Sequence, residues 1–118
     1  MADWRDAARA VGWTVTEDEV VVVLGERHHT VSVKSLERKV ACLDFTAAVG
    51  HGVSPDQVLR LLTSNRTLGW AFWRLGVEGI EAASAIEADA PVHDILEYLR
   101  DTAALADQLE RHLSEIDR

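Results

Sequence analysis

The stretch EVVVVLGERHHTVSVK, residues 19–34, decides the fold. Glu19 to Leu24 is β-branched and apolar, the composition of a buried strand. Gly25-Glu26-Arg27-His28 is a turn sequence, and Thr30 to Lys34 alternates apolar and polar residues. If Gly25 and His28 flank a two-residue turn, Leu24 pairs with His29, Val22 with Val31, and Val20 with Val33. Those residues make one clean core face, with His29 its single polar member. The same register sets Glu19 opposite Lys34, a favourable cross-strand pair. A slip of one residue would mix the two faces.

Working outward, Val40 to Val49 alternates again. Ala41, Leu43, Phe45, Ala47 and Val49 form its core side, and Cys42, Asp44, Thr46 and Ala48 the other. Gly50-His51-Gly52 breaks this strand. A second hairpin joins Thr67–Leu75 to Ile80–Ala88 through Val77 and Glu78. It pairs Leu75 with Ile80, Trp73 with Ala82, and Ala71 with Ser84. On its other face Arg74 meets Glu81, Phe72 meets Ala83, Trp70 meets Ala85, and Leu68 meets Glu87. The Arg74–Glu81 charge pair supports that register.

Three helices complete the pattern. Trp4, Ala7, Ala8 and Val11 share a helical face, and Gly12 is a stop. Trp13 to Thr16 is extended or begins the first strand. Ser54-Pro55-Asp56-Gln57 has the form of a capping box, and Val58, Leu59, Leu61 and Leu62 give the following helix its apolar side up to Asn65. From Pro91 to Ile116, apolar residues recur every three or four positions. The expected architecture is α+β: a five-stranded antiparallel sheet, order α-β-β-β-α-β-β-α, with the long C-terminal helix packed on it.

Composition bounds what such a chain does. At 118 residues it reads as one domain, residues 1–118, able to bury roughly two thirds of its surface without a metal or disulfide. Its 47% hydrophobic and 27% charged residues exclude a wholly disordered or collagen-like chain. No apolar run reaches the roughly 18 residues of a membrane span, and no export leader opens the chain. Cys42 is the lone cysteine, which fits a reducing cytoplasm. The net charge of −8 argues against nucleic acid or an anionic membrane as partner. That excess lies wholly in residues 77–118, which hold eleven acids against three arginines. It reads as a solvated acidic helix face.

No catalytic motif is present, and the chain is expected not to be an enzyme. Cys42 lies mid-strand, without the helix N-terminus or elbow that activates a thiol. Gly50-His51-Gly52 lacks the lysine and spacing of a phosphate loop. His28 and His29 are adjacent on a strand and point to opposite faces, while His51, His93 and His112 are scattered. The histidines therefore predict no metal site and no cofactor. The aromatics are the sharper feature. Trp4 and Trp73 read as core, whereas Trp70 and Phe72 fall beside Ala83 and Ala85 on the sheet's other face. Unless the N-terminal helix covers that face, Leu68, Trp70, Phe72, Ala83 and Ala85 form an apolar patch suited to a polypeptide partner or a homodimer.

Several segments also resemble a known family: Leu61-Leu62 and Asn65 closing the middle helix, the hairpin Leu68 to Ala88, and Ala103-Ala104-Leu105-Ala106-Asp107-Gln108-Leu109-Glu110. With the element order, they resemble the YbjN-like family, which shares the fold of type III secretion chaperones. The last segment looks like the Ala-Asp-x-Leu-Glu ending of actinobacterial members. The resemblance spans most of the chain and implies an α+β domain, often dimeric, that binds polypeptides or acts in regulation. It transfers no catalytic or effector-binding residue, and no secretion signal or partner accompanies it in this sequence. Two functions follow as expectations: a chaperone-like or adaptor protein using an open sheet face, or a regulatory domain sensing a small ligand under the terminal helix.

Overall fold

Caps and turns place the elements. The computed structural model describes residues 3–37, 39–49, 52–66, 69–76 and 79–116. The Asp3 side chain accepts from the Arg5 backbone N–H at 3.1 Å and opens α1, Trp4–Ala10. Gly12 follows with φ +95°, a left-handed conformation that ends the helix at no steric cost. The strands are β1 Thr14–Val15, β2 Glu19–Leu24, β3 Arg27–Glu37 and β4 Ala41–Ala48. Ser54 and Gln57 form the expected capping box on α2, Pro55–Ser64. Then come β5 Phe72–Gly76, β6 Gly79–Glu87 and α3 Val92–Ile116.

The strands form one antiparallel sheet in the order β1-β2-β3-β4-β6-β5. It has six strands rather than the expected five. The additional strand is β1, which pairs Thr14 with Val21 and Val15 with Val20. A tight turn separates it from β2, closed by the Thr16 N–H donating to the Glu19 carbonyl at 2.9 Å.

The first hairpin also differs from expectation. Its turn residues are Gly25 and Glu26, so Leu24 pairs with Arg27, Val22 with His29, and Val20 with Val31. Gly25 takes φ +65° while Glu26 keeps negative φ. That combination suits a type II′ turn, which wants glycine at its first central position. The register therefore moves by two residues. An even slip keeps every side chain on its expected face. Its casualty is the Glu19–Lys34 pair: Glu19 faces Ser32, and Lys34 faces Asp44 of β4.

The second hairpin has the expected register from Phe72 with Ala83 through Leu75 with Ile80. The Arg74 guanidinium donates to the Glu81 carboxylate at 2.8 Å. The turn residues Val77 and Glu78 lie outside the described residues.

One sheet face carries the core: Val20, Val22, Val31, Val33, Leu43, Phe45, Ala47, Trp73, Ile80 and Ala82. Helix α3 lays Ile95, Leu99, Ala103 and Ala106 against it, with Leu109 partly buried beside them. Trp4 of α1 meets Phe45 edge-on, centroids 6.4 Å apart. Val58, Leu61 and Leu62 of α2 join the same cluster from its margin. Beneath α3, Thr102 donates its hydroxyl to the Tyr98 carbonyl at 2.7 Å. Its single proton is thus committed, so Ser84 donates across the 2.7 Å contact to Thr102 and ties β6 to the helix. Among the described residues no helix is long and apolar enough to cross a membrane.

Candidate functional site

All three helices belong to one core cluster on one side of the sheet. Alternation sends Ser32, Lys34, Cys42, Asp44, Thr46, Phe72, Arg74, Glu81, Ala83 and Ala85 to the other side. Cross-strand pairing orders this face: Lys34 opposite Asp44, Ser32 opposite Thr46, Arg74 opposite Glu81. A shallow cleft of about 290 Å³ lies among Lys34, Asp44, Thr46, Arg74, Gly76 and Glu81. A Cβ on Gly76 would displace the Glu81 carboxylate that Arg74 holds.

The expected patch is only partly assembled. Phe72 is half-buried and pairs with Ala83, which it and its neighbours cover almost fully. Ala85 is exposed on the same face. Leu68 lies outside the described residues. Trp70 is not on this face. Strand β5 begins at Phe72, so alternation does not reach back to Trp70. Its indole instead stacks on Tyr98 of α3, centroids 4.9 Å apart and planes 2° from parallel. It remains 43% exposed and walls a second cleft, of about 380 Å³, at the seam between α3 and the segment that leads into β5. Gly69, Ala71, Asp101, Ala104, Leu105 and Gln108 complete that wall.

The β5 edge is occupied. The Asn65 amide donates to the Trp73 carbonyl at 2.8 Å and accepts from the Trp73 N–H at 2.7 Å. A side chain therefore takes the place of a neighbouring strand at that residue, which blunts the edge toward main-chain pairing with a partner.

Cys42 lies on the open face, half-buried, with its thiol directed at the Val40 carbonyl. His29 points to the core face, so the two do not form a nucleophile–base pair. His28, His93 and His112 are exposed, and His51 lies outside the described residues.

One cluster was missed by sequence reasoning. His29 is buried, with Nε2 3.1 Å from the Ala48 carbonyl and Nδ1 3.7 Å from Glu110 Oε2. Beside it, Arg27 Nε donates to Asp107 Oδ1 at 2.7 Å. The Arg27 side chain is 50% exposed and that of Asp107 only 7%. Counting histidines alone overlooked it, because its other members are carboxylates from the far end of the chain. The signal was present twice: His29 is the polar exception on the β2–β3 core face, and Asp107 follows Ala106 on the buried stripe of α3.

Set against known proteins, the chain matches no family model and no curated protein.

Proposed function

We propose that the chain is a non-enzymatic binding module, chaperone-like or adaptor in character, that holds a polypeptide partner or a second copy of itself against its uncovered sheet face. The observation that carries this reading is the one-sided sheet. Helices α1, α2 and α3 share one core cluster on a single face, and no described helix joins the opposite one. That opposite face mixes Phe72 and Ala85 with Lys34, Thr46 and the Arg74–Glu81 ion pair, a composition suited to a protein interface rather than to a core. Its charges are arranged in opposite-sign pairs, so the face stays hydrated when free. The resemblance to the YbjN-like family and to secretion chaperones supports the same reading. So does the acidic balance, which disfavours nucleic acid and anionic membranes. A lone, half-buried Cys42 fits work in the cytoplasm.

The test is a charge placed on the open face. Ala85→Arg should leave the melting temperature within about 2 °C, because Ala85 is exposed. It should weaken self-association, or capture of peptides from a synthetic array, by about tenfold or more, which is about 1.4 kcal/mol. Sedimentation equilibrium reads the first quantity and array titration the second. A chain that sediments at 13.0 kDa at every concentration, and whose peptide binding Ala85→Arg leaves unchanged, overturns the proposal.

The seam cleft favours a second reading, a regulatory domain that senses a small ligand beside the terminal helix. Its volume of about 380 Å³ suits a small planar molecule stacked against Trp70. Trp70→Ala should cost only about 1 kcal/mol of stability, since it removes one exposed stacked pair. It should abolish tryptophan quenching by planar apolar probes. Quenching that persists in the variant argues against this reading.

A further inference from the structure

We propose that His29, Asp107 and Glu110 form a binding site for a divalent transition ion of the zinc class, independently of which surface takes a partner. The argument starts from one proton. The Ala48 carbonyl can only accept, so the hydrogen bond to it places the imidazole proton on His29 Nε2. Nδ1 of the neutral ring is then a lone pair, and it faces a Glu110 carboxylate oxygen at 3.7 Å. A cation seated there would be shared by that nitrogen and that oxygen. A histidine whose far nitrogen donates to a backbone carbonyl has the orientation of a metal ligand.

The carboxylates arrive by helical spacing. Asp107 and Glu110 are three residues apart on α3 and so share one face. The three candidate ligand atoms lie within 4.8 Å of one another. In a tetrahedral zinc site, ligand atoms about 2.1 Å from the ion lie about 3.4 Å apart. The His29–Glu110 separation is already close to that value, and a side-chain adjustment of roughly 1 Å brings in Asp107. One nitrogen and two oxygen donors make a three-ligand set that leaves the fourth position to water. Burial of His29 and Asp107 lowers the local dielectric, which strengthens their attraction to an ion.

Arg27 is the internal competitor. Its guanidinium holds Asp107 Oδ1 at 2.7 Å, the carboxylate that the ion would also take. Its side chain is half-exposed and can release Asp107 into the ion's coordination while returning to water. Arg27 therefore sets the affinity without being a ligand.

The experiment uses the full chain without an affinity tag and zinc chloride as probe, titrated calorimetrically. The expected result is saturable binding of one ion per chain. His29→Gln and Glu110→Gln should each weaken it by about tenfold or more, while Arg27→Gln tightens it. Glu110 is partly exposed, so its variant keeps the test valid if His29→Gln fails to fold. Long-range ¹H–¹⁵N spectra should show the Nδ1 resonance of His29, and not those of His28, His93 or His112, moving with zinc. Equal binding by wild type and Glu110→Gln would assign the ion to exposed histidines and overturn the proposal. The absence of saturable binding would overturn it equally.

Discussion

Leu99→Ala is expected to lower the unfolding free energy by about 2–5 kcal/mol, toward the upper end of that range. Leu99 is fully buried in the N-terminal half of α3, one turn from Ile95 on one side and Ala103 on the other. The cluster that holds Leu99 includes Ala47 and Ala82 on the sheet and Ala103 and Ala106 on the helix. Alanines have no side chain long enough to swing into a vacated space. The helix is also pinned by the Ser84–Thr102 hydrogen bond, so it cannot settle by sliding. The cavity therefore stays open, and a cavity that cannot collapse is the costly kind. Leu59→Ala on α2 is the control. Leu59 is 66% exposed, and its truncation should change stability by no more than about 0.5 kcal/mol. Urea titration of both variants, with an unchanged slope, reads the difference. A loss below about 0.5 kcal/mol for Leu99→Ala would mean that α3 lies free of the sheet.

Most of this fold is legible because its two periods are unambiguous. The three-and-four spacing of Ile95, Leu99, Ala103 and Ala106 can only be one face of a helix. The alternation through Leu43, Phe45 and Ala47 can only be a one-sided strand. Local chemistry fixed the second hairpin's register, since Arg74 meets Glu81 in one alignment only. The first hairpin had no such discriminator. Its apolar pattern is the same after a slip of two, and Lys34 and Ser32 are both acceptable opposite Glu19. The deciding factor was the left-handed backbone of Gly25, which turn chemistry alone can reveal.

Trp70 shows where alternation stops being informative. Period-two reasoning is valid only while the chain is a strand, and the ladder begins two residues later, at Phe72. Gly69 immediately before it was the local warning of a bend. The Tyr98 ring that stacks on it comes from another element, and no spacing along the chain announces that contact. The same holds for Arg27 and Asp107, whose 2.7 Å contact spans 80 residues of sequence. What can be read locally is the anomaly: a polar residue on an apolar face asks for a partner, although the sequence does not say which one. Two such anomalies on facing elements, His29 and Asp107, are a reason to pair them before assigning either to the surface.

Phe45→Ala is expected to cost about 3–5 kcal/mol, and the loss is shared between two parts of the molecule. Phe45 is fully buried at the centre of the sheet, paired with Val33 on one side and Ser84 on the other. Its ring is also the seat for Trp4, which approaches edge-on at 68° and is itself buried. Helix α1 is only seven residues long, too short to persist in water by its own hydrogen bonds. Tertiary packing must hold it, and Trp4 and Ala8 are its buried residues. Removing the Phe45 ring thus opens a cavity in the sheet and withdraws the surface that keeps α1 folded. The Arg5 guanidinium, 4.6 Å from the Trp4 ring centroid, belongs to α1 itself and so cannot anchor the helix to the sheet. A double-mutant cycle of Phe45→Ala and Trp4→Ala should show a coupling energy of about 0.5–1.5 kcal/mol. Amide exchange across Trp4–Ala10 should accelerate in Phe45→Ala well before the exchange of β3 and β4 changes. Additive free energies in the cycle, with α1 amides still protected, would show that the helix docks independently of the ring beneath it.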